Sequence, residues 1–290
     1  MVARIIKDNY PGHDIVRPTL WQTPLIFTCP HAGRDYPRKL LQQALLPLET
    51  LRRSEDAYVD QLIPRGASES VPVVTARFPR VFVDLNRSPR ELDPLLFQGP
   101  LDDAAESRSN RVIAGFGVIP KLAADGRQIY PTRLPSTEAK SRLKNCFAPY
   151  HKSVSSLIEE AKIRFSQVLV VDWHSMPSTA GGAAKLPDIV LGDLFGAACR
   201  NSDAALWEDA FRAEGFDVAR NTPYAGGYVA SHYGNPKDGV GVLQIEINRG
   251  LYLDENRVAR SRHFKGFAQQ LAKVVDRVLG FHSPAALAAE

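Results

Sequence analysis

Four segments of the 290-residue chain share one construction, a short apolar run that stops at a polar cluster. LIFTCPHAG ends at His31, RVFVDLNRS at Asn86 and Arg87, VLVVDWHS at His174, and VLQIEINR at Glu246. Runs of this length, rich in Val, Ile and Phe, predict buried strands. In an open α/β sheet, ligands bind in the crevice beyond the carboxyl ends of the strands, so polar groups gathered at several strand ends point at one place. Two histidines, an acid and an arginine are the set that metal-assisted hydrolysis of an anionic substrate needs.

The wider pattern alternates. Strands are expected at residues 24–29, 71–76, 80–85, 168–173, 187–191, 216–219 and 241–247, and helices at 50–63, 136–165, 203–214 and 254–279. This predicts a single α/β domain over residues 1–290: a mixed, mostly parallel sheet flanked by helices, with a frayed tail at 281–290. Helix starts are expected at Pro135-Ser136-Thr137-Glu138 and Asp254-Glu255, where a polar cap and early acids suit the exposed amides. Residues 88–135 are the least regular part and too long for a simple connector, which suits a loop bordering a site. The stretch SMPSTAGGAAKLPD after His174 has the small residues of a mobile flap, and TPYAGGYVASHYGNP sets Gly226 and Gly227 before His232.

Hydrophobic content of 44% with 23% charge is that of a globular protein, and no stretch approaches the roughly 20 apolar residues of a membrane span. The first residues lack an apolar signal core, so a cytoplasmic enzyme is the expectation. A net charge of +4 suits a small anionic substrate and is too weak for a nucleic-acid footprint. Three widely spaced cysteines, Cys29, Cys146 and Cys199, argue against a disulfide framework or a zinc knuckle and for reduced packing residues.

Residue by residue, each assignment has a bland competitor. His31, in a turn where Gly33 permits a sharp bend, is a metal ligand or a backbone-bonded turn histidine. Asp172 and His174 share a strand face, where the acid orients a metal-bound imidazole or forms a structural ion pair. In RRSEDAYVDQLI, a helix starting near Ser54 would put Asp56 and Asp60 one turn apart, with Glu55 competing and first-turn dipole preference as the alternative cause. Arg87, with the Asn86 amide beside it, is a two-pronged carboxylate clamp or a surface salt bridge. Glu246 sits inside an apolar strand, where an acid is rarely placed for packing. Gly115-Phe116-Gly117 lacks the third glycine of a dinucleotide fingerprint, and the GxSxG, GxxxxGK[ST] and HExxH signatures are missing.

Taken together, PHAG at His31, EDAYVD at Glu55, DLNRSP at Asp84, PYH at Pro149, DWHS at Asp172, LPDIVLGD at Leu186, GGYVASHYG at Gly226 and QIEINRGLY at Gln244 resemble the N-formylglutamate amidohydrolase family, in order from about residue 24 to 253. The resemblance implies a zinc-carboxypeptidase-like α/β fold and hydrolysis of N-formyl-L-glutamate to formate and glutamate, a step of histidine catabolism. It makes His31, Asp56 and His174 ligands of one Zn2+ per chain, Glu246 the general base and Arg87, beside Asn86, the carboxylate clamp. Apart from the resemblance, His232 and Arg249 are expected as further substrate contacts, with Arg249 or Lys121 as the cation for the second carboxylate. The chain departs from the pattern in two places. Ala57 and Tyr58 follow Asp56 where the histidine-pathway enzymes read more like DTDWH, and Arg34 stands where aspartoacylase-type sites place their acid. An aspartoacylase- or carboxypeptidase-like N-acyl-amino-acid deacylase and a catalytically silent anion-binding relative are the alternatives.

Overall fold

Leu25–Cys29, with five buried residues in succession, is the kind of strand that requires cover on both faces, and the computed structural model places it inside a seven-stranded sheet. The structure describes residues 3–7, 12–63, 69–101, 105–180 and 184–282. The sheet strands are β1 (His13–Val16), β2 (Leu25–Cys29), β3 (Val73–Ala76), β4 (Val168–Met176), β5 (Ile189–Gly192), β6 (Val218–Arg220) and β7 (Val240–Asn248). The helices that matter below are α1 (Val59–Leu62), α2 (Asn110–Ile113), α3 (Ser136–Arg142), α4 (Ala148–Phe165), α5 (Asn201–Ala213), α6 (Tyr228–Tyr233) and α7 (Phe264–Phe281). Strand order is β6-β5-β7-β4-β2-β3-β1; β2, β4 and β7 run parallel, β5 is antiparallel to β7, and β5 and β6 are parallel. The expected mixed, mostly parallel sheet with helices is therefore what the chain forms.

The described residues form two compact units. One comprises residues 15–29, 58–74 and 154–290, the other 1–14, 30–57 and 75–153. In the first, the long central strands β4 and β7 are buried along all nine residues. One face of β4 and β2 is aromatic: Trp173 lies edge-on to Phe27 and to Trp207 of α5, with ring centroids 5.5 Å apart in both pairs. Each such side chain buries roughly 150–250 Å², about 4–6 kcal/mol of gross transfer free energy. Helix α7 buries Phe264, Phe267, Leu271, Val274, Val275 and Val278, a stripe at helical spacing.

In the second unit, the long loop over residues 88–135 is held by short pieces. Phe97–Gln98 pairs with Leu134–Pro135, Leu122 bridges Gln128, and Ser109 caps α2 by accepting from the Val112 amide. Its largest buried cation is Arg142 on α3, 1% exposed, which donates to Glu138, the Tyr130 hydroxyl and the Phe82 carbonyl and stacks 4.2 Å over the Phe82 ring.

Several sequence expectations are corrected. Residues 80–85 are not a strand but a series of turns, because Phe82 N–H bonds back to Pro79, the Asp84 amide goes to Val118 and the Asp84 carboxylate curls the chain onto itself. The helix at 50–63 is broken: a 3-10 turn ends at Ser54, Tyr58 adopts a left-handed φ of 66°, and only α1 follows. Asp254-Glu255 does not start a helix, since Leu253–Asp254 pairs antiparallel with Ala259–Arg260 and α7 begins at Phe264. The helix at 136–165 starts at Ser136 with Glu138 in its first turn, but its N-cap is Pro135, with no side-chain cap in place of the expected polar one. It is interrupted by a π-helical turn over Leu143–Phe147. Strand β1 was not anticipated. Part of the expected flap, residues 181–183, and the tail from residue 283 lie outside the described residues.

Candidate functional site

On β4, Asp172 and His174 alternate with the aromatic face, and the parallel register sets Gln244 of β7 opposite Asp172 and Glu246 opposite His174. Four polar side chains thus share one sheet face, all of them buried. Their hydrogen bonds fall into two sets. Thr28 on β2 donates to Asp172 Oδ1 at 2.6 Å, and His174 Nε2 is bonded to Asp172 Oδ2 at 2.8 Å. In the tautomer that donates from Nε2 to Asp172, Nδ1 is the nitrogen that keeps the lone pair. Gln244 Nε2 donates to Glu246 Oε1 at 2.8 Å and orients that carboxylate. The strand continues to Met176, so His174 lies inside β4 rather than at its end. Arg249, in the 3-10 turn after β7, is buried and donates through Nε to Ser175 Oγ at 3.0 Å. His232 lies on α6 with its ring stacked on Tyr228 at 4.7 Å and edge-on to Tyr233, and burial lowers its pKa.

His31 follows β2 through Pro30 and is 2% exposed. Gly33 serves a different purpose from the expected bend: a Cβ there would lie 2.0 Å from the Phe78 carbonyl oxygen, so glycine is needed for close backbone approach. His31 Nε2 is bonded to Asp84 Oδ1 at 2.7 Å, and Nδ1 lies 3.4 Å from Asp56 Oδ2. Asp56 is buried in the break between the 3-10 turn and α1, its amide donating to the His31 carbonyl at 3.0 Å. Asp84 Oδ1 also accepts the Asn86 amide at 2.9 Å, while Arg80 forks onto Oδ2 at 2.7 and 3.2 Å. Burial alone would raise Asp84, but Arg80, His31 and Arg87 outweigh it and hold this carboxyl well below the usual carboxylate range.

Glu55, the competing ligand, is occupied elsewhere. It accepts from the Tyr36 hydroxyl at 2.8 Å and from Arg52 at 3.1 Å, and burial pushes its pKa up against those partners. Asp60 is on α1 and is not one helical turn from Asp56. Among the described residues Arg87 makes no salt bridge: Nε donates to the Phe116 carbonyl at 3.1 Å and Nη1 to the Asn86 carbonyl at 2.8 Å. Lys121 is 4.0 Å from Asp93. The three cysteines are buried and form no disulfide among the described residues, and burial pushes Cys146 and Cys199 up to about 12.

Among the described residues, one histidine, cysteine or acid group is arranged to hold a metal ion: His31, Asp56 and His174, all buried, with one ligand atom from each within 4.8 Å of the others. The family model for N-formylglutamate amidohydrolase matches residues 23–253. The chain belongs to this family. It is similar to the N-formylglutamate deformylase of Pseudomonas aeruginosa, 28% identical over 239 residues that cover 81% of this chain and 84% of the relative. The deformylase of Pseudomonas putida is 27% identical over 240 residues, covering 80% and 82%. A solved N-formylglutamate amidohydrolase from Ralstonia eutropha JMP134 superimposes with a TM-score of 0.87 at 30% identity, covering 94% of this chain and 98% of that one. No helix among the described residues is long and apolar enough to cross a membrane.

The sequence reading missed Asp84, Arg80 and Thr28 as site residues. Asp84 was legible in principle, because the D-x-N pattern in DLNRS favours a carboxylate bonded two residues ahead, as it is here to the Asn86 amide. Arg80 and Thr28 carried no comparable signal.

Proposed function

We propose that this protein is a metal-dependent amidohydrolase of the cytoplasm that cleaves N-formyl-L-glutamate to formate and glutamate, as the names of its relatives suggest. The observation that carries the metal is the buried His31, Asp56 and His174 group. Its donors fit a divalent ion such as zinc: two imidazoles and a carboxylate are a common catalytic set, and each histidine has its Nε2 held by a carboxylate, the arrangement that presents Nδ1 as the ligand atom. When bound, one such ion per chain supplies a Lewis acid for the acyl carbonyl and for water.

The chain's own residues do the rest. Glu246 takes one proton of the attacking water and delivers it to the glutamate nitrogen as the C–N bond breaks; the water oxygen ends in formate, and its second proton, carried on the added hydroxyl, passes to the released amine to give formate and an ammonium group. Gln244 holds the Glu246 carboxylate in place. The Arg87 guanidinium grips a substrate carboxylate: its Nε and Nη1 are anchored on backbone carbonyls, and Nη2 has no partner among the described residues. The Asn86 side-chain amide, His232 and Arg249 supply further contacts, and the reaction is assigned to histidine catabolism because the family resemblance implies it.

Glu246→Gln tests this reading. It keeps size and metal but lacks the basic charge, so kcat for N-formyl-L-glutamate should fall at least about 100-fold. Near-normal kcat at full metal occupancy removes Glu246 from the mechanism.

A further inference from the structure

The long loop over residues 88–135 carries Arg111, the second residue of the one-turn helix α2. It is half-buried, and its side chain has neither a hydrogen-bonding nor an ion-pair partner among the described residues. Its backbone is tied to Arg87 through one residue: Phe116 N–H donates to the Arg111 carbonyl at 2.8 Å, and the Phe116 carbonyl accepts from Arg87 Nε at 3.1 Å. Burial lowers the pKa of Arg87, and the charges of Arg80 and Arg111 lower it further against the carboxylates of Asp84 and Glu91. Like charges held together in a partly desolvated place cost free energy unless an anion joins them.

The two carboxylates whose charges reach Arg87, Asp84 and Glu91, have their oxygens engaged by other donors. Glu91 is the nearby carboxylate, and both its oxygens are engaged: Oε1 accepts from the Ser109 hydroxyl at 2.8 Å and Oε2 from the Ser88 amide at 3.2 Å. Asp84, which also faces Arg87, is committed to His31, Asn86 and Arg80. The framework around the pair is rigid. The Val118 amide donates to the Glu91 carbonyl and the Val118 carbonyl accepts from Asp84, while a Cβ on Gly117 would lie 2.5 Å from the Glu91 carbonyl oxygen. The GFGV segment, which carries no dinucleotide motif, is thus a brace that joins the two arginines to the loop bearing Asp84 and Asn86.

We infer that Arg111 is the second guanidinium of a two-arginine anion subsite built with Arg87, and that it selects a substrate with two carboxylates over one with a single carboxylate. This rests on the reading of Arg87 as the clamp and adds the residue that distinguishes an acidic side chain from a neutral one. Electrostatic complementarity of this kind acts on binding and discrimination more than on the chemical step.

The test uses the metal-loaded protein with glutarate and butyrate as probes in titration calorimetry, and N-formyl-glutamate and N-formyl-glutamine as substrates. Arg111→Gln is expected to weaken glutarate binding about tenfold or more and butyrate less than threefold, with the melting temperature unchanged. It should lower kcat/KM for N-formyl-glutamate through KM, leave that for N-formyl-glutamine nearly unchanged, and be partly rescued by Arg111→Lys. Equal losses for both probes, no loss for either, or no glutarate binding by the wild type overturns the inference. If the wild type releases no formate while glutarate selectivity still depends on Arg111, the proposed reaction fails and the subsite stands. If formate is released but the substrate ratio ignores Arg111, the subsite fails and the reaction stands.

Discussion

Asp84→Asn probes how the site is held together. The wild-type carboxylate takes His31 Nε2 and the Asn86 amide on Oδ1 and the Arg80 fork on Oδ2. An asparagine side chain has one oxygen. If that oxygen serves His31 and Asn86, the amide N–H group is left facing Arg80, donor against donor. The cost is one charge-assisted interaction, roughly 1.5–3 kcal/mol, towards the lower end because water reaches Arg80. For a chain of this size that corresponds to about 3–8 °C in melting temperature. His31 would also lose an anionic partner, and removing the outer partner of a metal-binding histidine typically weakens metal affinity 10–100-fold. The pH sign follows from the depressed pKa: stability from ionised Asp84 is present above its unfolded value near about 3.9 and is lost as pH falls through the folded value. The difference between wild type and variant should therefore be full at pH 7 and shrink only in acid. Chelator competition with a fluorescent zinc indicator and melting curves across pH measure both quantities. A lowered melting temperature with unchanged metal affinity would refute Asp84 as an orienter of His31.

Asp56→Ala should abolish metal retention, whereas Glu55→Gln should keep it, as elemental analysis after dialysis would show. Because burial raises Glu55, its protonated form is favoured in the fold, so the wild type should lose stability relative to Glu55→Gln as pH rises above about 4. Gly33→Ala drives a Cβ into the Phe78 carbonyl and should cost about 3 kcal/mol or more, read as a collapse in melting temperature or in soluble yield. Cys146 and Cys199, pushed up to about 12, should resist a thiol reagent at pH 8 until the protein is denatured.

What the sequence made legible was the sheet. VLVVDWHS and VLQIEINR read as strands because buried parallel strands need apolar residues on both faces, and the polar exceptions Asp172, His174, Gln244 and Glu246 then stood out on one face. RVFVDLNRS has the same composition and misled for that reason. Its apolar residues are buried around turns, with amide groups satisfied by Pro79, Val118 and the Asp84 carboxylate instead of a neighbouring strand. The helix expected over EDAYVD failed because the Asp56 amide is drawn to the His31 carbonyl, a pairing 25 residues apart that no local periodicity encodes. Arg111 was equally hidden: its proximity to Arg87 depends on the path of the long loop through Phe116.

Formate release from N-formyl-L-glutamate during zinc titration of the stripped protein tests the central claim most directly. The account predicts activity that rises linearly to one equivalent per chain and then stays level, with none at any zinc level in His174→Ala. Full turnover by stripped protein in the presence of chelator, or zinc-dependent turnover unchanged in His174→Ala, would contradict it.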